Sequence, residues 1–379
     1  MELSRRSFVR ALSVAGAGLV SPQAITARGR EAGFAAGWLG QGDSASTILL
    51  NSNENPLGPG PAALDALKAA LGDACRYPSR AGDRLPNAIA AALQVPADHV
   101  LPACGSGEIL TIAVEAFCSP TRPLVTGLPT FETCTRTATF RNLPVHEVRV
   151  AADMALDLRG MEDKAAGAGL IFLCNPNNPT GTVFGAPVIE GFIDRVRRVS
   201  PDTIILVDEA YHEYVGEPSY ASAIPLAREY PQVIVSRTCS KVHGMAGLRV
   251  GFAIGRPETL RKMSGWRLGN GLNILGIHAA AAALGDAANI ARARAANREA
   301  RDFARQLFGD LGYRVLESHT NFVLVDIRRD AAEFAKACRA GGVSVGRPFP
   351  PLTTWSRISL GTMAEMERAA ATFRKILRG

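Results

Sequence analysis

No run of about 18 apolar residues occurs in the 379-residue chain, so nothing in it reads as a membrane-spanning helix. The seven cysteines form no Cys-x-x-Cys pair and are odd in number, which argues against a disulfide framework and a structural zinc site; no metal is expected. No basic block with interleaved aromatics stands out, so a nucleic-acid partner is not expected. Internal repeats and low-complexity tracts are missing too. Charged residues are only 20% of the chain and apolar residues 47%, too little charge for a disordered protein and ample material for a large core. The length suggests two or three domains. Of the net charge of +7, +3 falls in the first 31 residues, where Arg5, Arg6, Arg10, Arg28 and Arg30 face Glu2 and Glu31.

That basic start has a pattern. Ser4-Arg5-Arg6-Ser7-Phe8-Val9-Arg10 is followed by a weakly apolar Ala/Gly-rich stretch over 11–20, then Pro22 and small residues up to Ala27. Paired arginines, a following Phe and a short apolar region make residues 1–30 look like a twin-arginine signal peptide. The expectation is export by the twin-arginine translocase to the periplasm, already folded and loaded, with no stable membrane anchor. Residues 31–60 read as a linker and N-terminal arm.

From about residue 60, helical and buried-strand patterns alternate. Helices are predicted over 61–71, 107–117 and 187–199, and compact apolar strands over 169–174, 203–207, 232–236 and 248–254. Strands separated by helices imply an α/β large domain over 61–270, its sheet mostly parallel and flanked by helices. Beyond 270 the texture changes. A long Ala/Arg helix over 289–311 leads to strands at 314–316, 321–327 and 357–360, with helices over 331–339 and from Met363. This reads as a smaller α+β C-terminal domain over 271–379.

In open α/β sheets, ligands sit at the carboxyl ends of the strands. Polar signatures collect there: Asn175-Pro176-Asn177-Asn178-Pro179-Thr180-Gly181, Asp208-Glu209-Ala210-Tyr211, Thr238-Cys239-Ser240-Lys241 and Gly244-Met245-Ala246-Gly247-Leu248-Arg249. Upstream, Gly105-Ser106-Gly107 opens a helix. Any one alone is a helix cap, a turn or a surface lysine. Together they suit one cofactor, pyridoxal 5'-phosphate. A lysine at a strand end can condense with an aldehyde if its amine is partly deprotonated. A pyridine ring used as an electron sink needs a buried carboxylate at its nitrogen, for which Asp208 qualifies. Asn178 and Tyr211 supply donors for the ring oxygen. Gly105-Ser106-Gly107, Thr238, Ser240 and Arg249 supply backbone N–H groups, hydroxyls and a guanidinium for the phosphate.

These motifs carry a resemblance. The chain looks like a fold type I, class I/II pyridoxal-phosphate aminotransferase, and within that group is similar to the histidinol-phosphate aminotransferase family. The resemblance runs from Leu50-Asn51-Ser52-Asn53-Glu54-Asn55-Pro56-Leu57-Gly58-Pro59 through Tyr77-Pro78 and the motifs above to Arg357-Ile358-Ser359-Leu360-Gly361-Thr362. It implies that Lys241 holds the cofactor and moves the proton, with Asp208 at the ring nitrogen and Tyr211 beside Lys241 in the catalytic group. It implies Ser106, Gly107, Thr238, Ser240 and Arg249 at the phosphate, Asn178 and Tyr211 at the ring oxygen, and Phe131 stacked on the ring. Tyr77 would reach the phosphate in a neighbouring copy, which implies a homodimer. Asn53, Arg347 and Arg357 would contact substrate, Arg357 pairing bidentately with its α-carboxylate.

The chain departs from the pattern where Phe131 and Cys134 replace two family aromatics, which is expected to loosen the wall of the side-chain pocket. The surroundings of Arg347, Val345-Gly346-Arg347-Pro348-Phe349-Pro350, are unusual too. The leading expectation is amino transfer between an amino acid (histidinol-phosphate-like, acidic or aromatic) and a 2-oxo acid such as 2-oxoglutarate. A decarboxylase or racemase on the same fold is the alternative, and a cofactor-binding relic without activity the third reading.

Overall fold

The computed structural model describes residues 46–378. The expected signal peptide lies outside the described residues. Twelve strands occur among those described: β1 Ile48–Leu50, β2 Val100–Ala103, β3 Leu124–Leu128, β4 Val145–Arg149, β5 Leu170–Cys174, β6 Ile204–Asp208, β7 Val233–Thr238, β8 Gly251–Ile254, β9 Arg314–Val315, β10 Phe322–Asp326, β11 Val343–Val345 and β12 Trp355–Ser359.

Seven of them form one sheet in the order β2-β8-β7-β6-β5-β3-β4. The run β7-β6-β5-β3-β4 is parallel throughout, while β8 pairs antiparallel with both β7 and β2. Strands β5, β6 and β7 are buried at every position, as expected for a parallel sheet with both faces covered. One core lies on the face that includes Ile171, Val207 and Val235; another lies on the face that includes Phe172, Leu206 and Ile234. The strand expected over 248–254 starts only at Gly251. Residues Ala246–Leu248 form a 3₁₀ turn and Arg249 takes a left-handed backbone (φ 52°), so the extended run begins late.

Strands β2, β3 and β4 carried no strand expectation, and their sequences explain why. β2 contains Pro102, which a ladder tolerates because β2 is an edge strand. β3 is interrupted by Gly127, and β4, at the other edge, is half exposed and rich in polar residues.

The C-terminal part has an antiparallel sheet β12-β10-β9 and a parallel pair β1-β11. Ile48 and Leu50, inside the span read as linker and arm, pack in this smaller core with Phe308, Phe334 and Phe373. Residue 270 is not where the larger core ends: the helix Ile274–Ala283 supplies Ile277, Ala279, Ala280 and Ala283 to it. Cys134, Cys174, Cys239 and Cys338 are buried, Cys104 and Cys118 half-buried, and Cys75 exposed.

One buried ion pair braces the sheet. Arg237 on β7 donates to Glu209 at the end of β6 through Nη2 (2.8 Å) and Nε (3.1 Å). The same carboxylate accepts from Ser222 Oγ (2.7 Å) and the Ala223 N–H (2.6 Å). Side-chain exposure is 7% for Arg237 and 1% for Glu209, so removing one partner strands a charge. Arg237→Ala is expected to cost about 3–5 kcal/mol of stability. The double change Arg237→Met with Glu209→Leu should cost less than Arg237→Ala, read from denaturant unfolding midpoints.

Candidate active site

The reversal of β8 gathers the polar motifs on one sheet edge. Its amino end, entered through Arg249, lies beside the carboxyl ends of β2 and β7, with Gly251 paired to both Ala103 and Thr238. The turn after β2 continues through Gly105 (φ 77°) into the helix Ser106–Phe117, whose first N–H groups face away from its own ladder. The packing is tight. A methyl group at Gly105 would meet Arg249 Nη2 at 2.2 Å, and one at Gly251 would meet the Ser106 nitrogen at 2.2 Å. Thr238 Oγ1 donates to Ser240 Oγ (2.8 Å) and accepts from the Ser240 N–H (3.0 Å). Arg249 Nη1 donates to Ser240 Oγ (3.4 Å) and the Ala246 carbonyl (2.8 Å). Ser106, Gly107, Thr238, Ser240 and Arg249 thus bring together groups able to hold an anion in one cup: helix N–H groups, hydroxyls and a cation. Glu108, one residue further on, is turned to other work. Its carboxylate accepts from the N–H groups of Cys104 (2.6 Å) and Leu268 (3.1 Å).

Deeper in the site, Asp208 ends β6 at 2% exposure and accepts from Ser236 Oγ at 2.6 Å. Burial pushes its carboxyl up to about 6, against the Ser236 hydrogen bond and the charge of Lys241. It remains largely a carboxylate at neutral pH, and a cation beside it, such as a protonated ring nitrogen, would draw it back down. Lys241 Nζ donates to the carbonyls of Asn53 (2.9 Å) and Ser52 (3.4 Å) and lies 5.7 Å from the Tyr211 ring centroid. Burial and the positive charge of Arg357 push this amine down from 10.5 to about 8. The neutral amine, the form that attacks an aldehyde, is thus far more populated near neutrality than in an ordinary lysine.

Tyr211 is buried edge-on against Phe322 (5.4 Å between centroids). Its hydroxyl accepts from Asn53 Nδ2 (3.0 Å) and Asn178 Nδ2 (3.4 Å), and burial raises its pKa, so it stays a neutral phenol. Arg357, on β12, is 8% exposed and donates to Asn178 Oδ1 (2.8 Å) and the Asn51 carbonyl (2.7 Å). Its Nε–H is buried without an acceptor among the described residues. Burial pushes its pKa down to about 10, still a cation at neutral pH.

The structure thus brings Lys241, Asp208, Tyr211, Asn178, Asn53 and Arg357 into one cluster and places the cup at the same sheet edge. Their chemistry fits pyridoxal phosphate: a carboxylate for the ring nitrogen, donors for the ring oxygen, an amine for the aldehyde and a cationic cup for the phosphate. Phe131, at 36% exposure, begins the turn into the helix Thr133–Phe140. Arg347 is more exposed and donates to Glu132. Tyr77 is 74% exposed and no hydrogen bond among the described residues joins it to the cluster. The expectation for Cys134 is corrected. It does not line an open wall: it is fully buried, its thiol pointing to the Leu110 carbonyl, so its small size is taken up by the core. Ser236, Ser359, Phe349 and Glu132 went unread in the sequence. For Ser236 and Ser359 a signal existed, a hydroxyl on a short strand next to residues of the expected site.

Residues 45–373 match the family model described as aminotransferase class I and II. The histidinol-phosphate aminotransferase of Symbiobacterium thermophilum is 38% identical over 324 residues, 85% of this chain and 88% of that protein. That of Moorella thermoacetica is 34% identical over 336 residues, 87% and 85% of the two chains. A crystal structure of the histidinol-phosphate aminotransferase from Sinorhizobium meliloti, in complex with pyridoxal-5'-phosphate, superposes with a TM-score of 0.82. It is 28% identical, covering 90% of this chain and 95% of that one.

The lowered amine gives a pH prediction. The neutral form is the nucleophile, so the rate at which Lys241 condenses with an aldehyde should rise with pH and level off above about 8. Arg357→Gln removes a positive neighbour and should move the midpoint upward. Labelling with pyridoxal phosphate and borohydride, read at Lys241 by mass spectrometry across pH, measures both. A wild-type midpoint near 10.5 would contradict the assignment.

Proposed function

This chain belongs to the aminotransferase class I and II family, and we propose that it moves an amino group between an amino acid and a 2-oxo acid, with glutamate and 2-oxoglutarate as one pair. It is a transaminase of fold type I whose cofactor is pyridoxal phosphate. One observation carries the choice of an acidic partner. The guanidinium groups of Arg357 and Arg347 lie against the same ring, 4.8 and 4.3 Å from the centroid of Phe349. Two cations on one side chain suit a molecule with an anion at each end. Histidinol phosphate carries its anion on the carbon that bears the α-carboxylate in an amino acid and a neutral imidazole at the far end, so it offers Arg347 no distal anion, and we infer that it is not the best substrate.

Each residue has a defined task. Bound pyridoxal phosphate supplies the electron sink for the charge left when the substrate's α-proton departs. Asp208 keeps the ring nitrogen protonated. Arg357 orients the α-carboxylate, with Asn178 and the Asn51 carbonyl fixing its plane. Lys241 Nζ takes the α-proton and returns it elsewhere, which its pKa of about 8 allows in both directions near neutrality. Tyr211 stays neutral and donates a hydrogen bond. Ser106, Gly107, Thr238, Ser240 and Arg249 hold the phosphate, and Phe131 packs on the ring face.

Two further readings complete the proposal. The Ser4-Arg5-Arg6-Ser7-Phe8 start supports export to the periplasm by the twin-arginine translocase. Exposed Tyr77 supports a homodimer in which it reaches the partner's phosphate cup.

Lys241→Ala should abolish turnover while the holoprotein still binds cofactor non-covalently, and Asp208→Asn should lose about 10²-fold or more in rate. With an amino acid alone, one equivalent of the matching 2-oxo acid should appear per active site. Carbon dioxide instead would indicate a decarboxylase. Arg347→Ala should raise KM for glutamate by about ten-fold or more, a charged hydrogen bond's worth, and leave an apolar amino acid nearly unchanged. A clear kcat/KM preference for histidinol phosphate would return the protein to its relatives' named activity. For location, Arg5→Lys with Arg6→Lys should hold the protein in the cytoplasm; periplasmic activity surviving that change rules out the export reading.

A further inference from the structure

We propose that Glu132 is a specificity-determining residue: it competes with the substrate's distal carboxylate for Arg347 and so sets how far the site favours acidic over apolar side chains. The inference rests on Arg347 being the distal reader.

The geometry is direct. Arg347 Nη2 donates to Glu132 Oε2 at 2.5 Å. Its Nη1 is taken by the carbonyl of the next residue, Pro348, at 2.9 Å, and its guanidinium carbon lies 4.3 Å from the Phe349 ring centroid. The strongest donor of the distal cation is therefore already occupied by a carboxylate of the same chain. Glu132 directly follows Phe131 and precedes the helix Thr133–Phe140, so it comes from the turn after β3. Arg347 comes from the loop between β11 and β12. The pair bridges those two loops.

Charge near the substrate's place follows from the same pair. Arg357 senses both members: the charge of Arg347 lowers its pKa and that of Glu132 raises it. With Glu132 in place the far end of the site is close to neutral in sum, although it contains an arginine. A carboxylate side chain must share Arg347 with Glu132 or displace it, and either way Glu132 then stands beside a second negative charge. An apolar side chain disturbs nothing. The pair is partly exposed, 53% for Arg347 and 40% for Glu132, so the competition is modest in size and sensitive to salt.

The test uses the holoenzyme and Glu132→Gln, which keeps the side chain's size and removes its charge. Equilibrium binding of succinate and butyrate by calorimetry reads the distal end without turnover; steady-state kinetics with glutamate and norleucine add the acidic and the apolar amino acid. Succinate should bind up to about five-fold tighter to Glu132→Gln, the range of an exposed ion pair. KM for glutamate should fall in the same direction, and the constants for butyrate and norleucine should not move. Glu132→Asp should stay near wild type. At 1 M salt the gap between wild type and Glu132→Gln should narrow. Equal changes for all four ligands, or none, would overturn the proposal and leave the bridge a purely structural tie. Arg347→Ala separates this failure from that of the underlying reading. If succinate binding is insensitive to Arg347→Ala, the distal-reader assignment fails. If it weakens there but ignores Glu132→Gln, only the competition fails.

Discussion

The site depends on one residue of the N-terminal arm, Asn53. It holds a left-handed backbone (φ 54°), a conformation asparagine tolerates better than most residues. In that conformation all its polar groups are used. The carbonyl accepts from Lys241 Nζ and from Asn321 Nδ2 (2.9 Å). The N–H donates to Ser359 Oγ (2.8 Å), which returns a bond to Asn53 Oδ1 (2.8 Å), and Nδ2 donates to Tyr211. Lysine, phenol and β12 are thereby referred to a single peptide. Arg357 lies on the same strand as Ser359, two residues away and on the same face, so the substrate's carboxylate and the proton-moving amine share one support.

Around that support the charges are arranged by burial rather than by exposed pairing. Burial pushes the Asp208 carboxyl up and the Lys241 amine down, so each is brought closer to neutrality without losing its charge. Glu209, next to Asp208 in sequence, points elsewhere and is fully satisfied by Arg237, Ser222 and Ala223. Adjacent carboxylates thus have opposite duties, one structural and one held ready. The period-2 alternation of side chains at a strand end separates them.

Much of this was legible in the chain. Buried strands such as β5 and β6 announce themselves as short apolar runs, and the motifs that follow them name the chemistry because each ends where its side chains must meet a ligand. What stayed hidden was relational. Pro102 and Gly127 concealed β2 and β3, since whether a strand tolerates them depends on its neighbours in the sheet. The antiparallel sense of β8 cannot be read from Gly-Phe-Ala-Ile. Cys134 looked like a change to a pocket wall because spacing along a helix does not say which face the helix buries. Glu132 carries no signal of its own in the sequence, and its meaning comes from Arg347, 215 residues away.

The buried thiols give the fold a built-in clock. Cys134, Cys174 and Cys239 sit deep in or beneath the sheet, where burial raises their pKa and keeps them as inert thiols. Only an opened chain can offer them to an oxidant. In an oxidising medium, the rate at which these sulfurs are lost is therefore a record of how often the molecule comes apart, and its working lifetime is set by the barrier to opening.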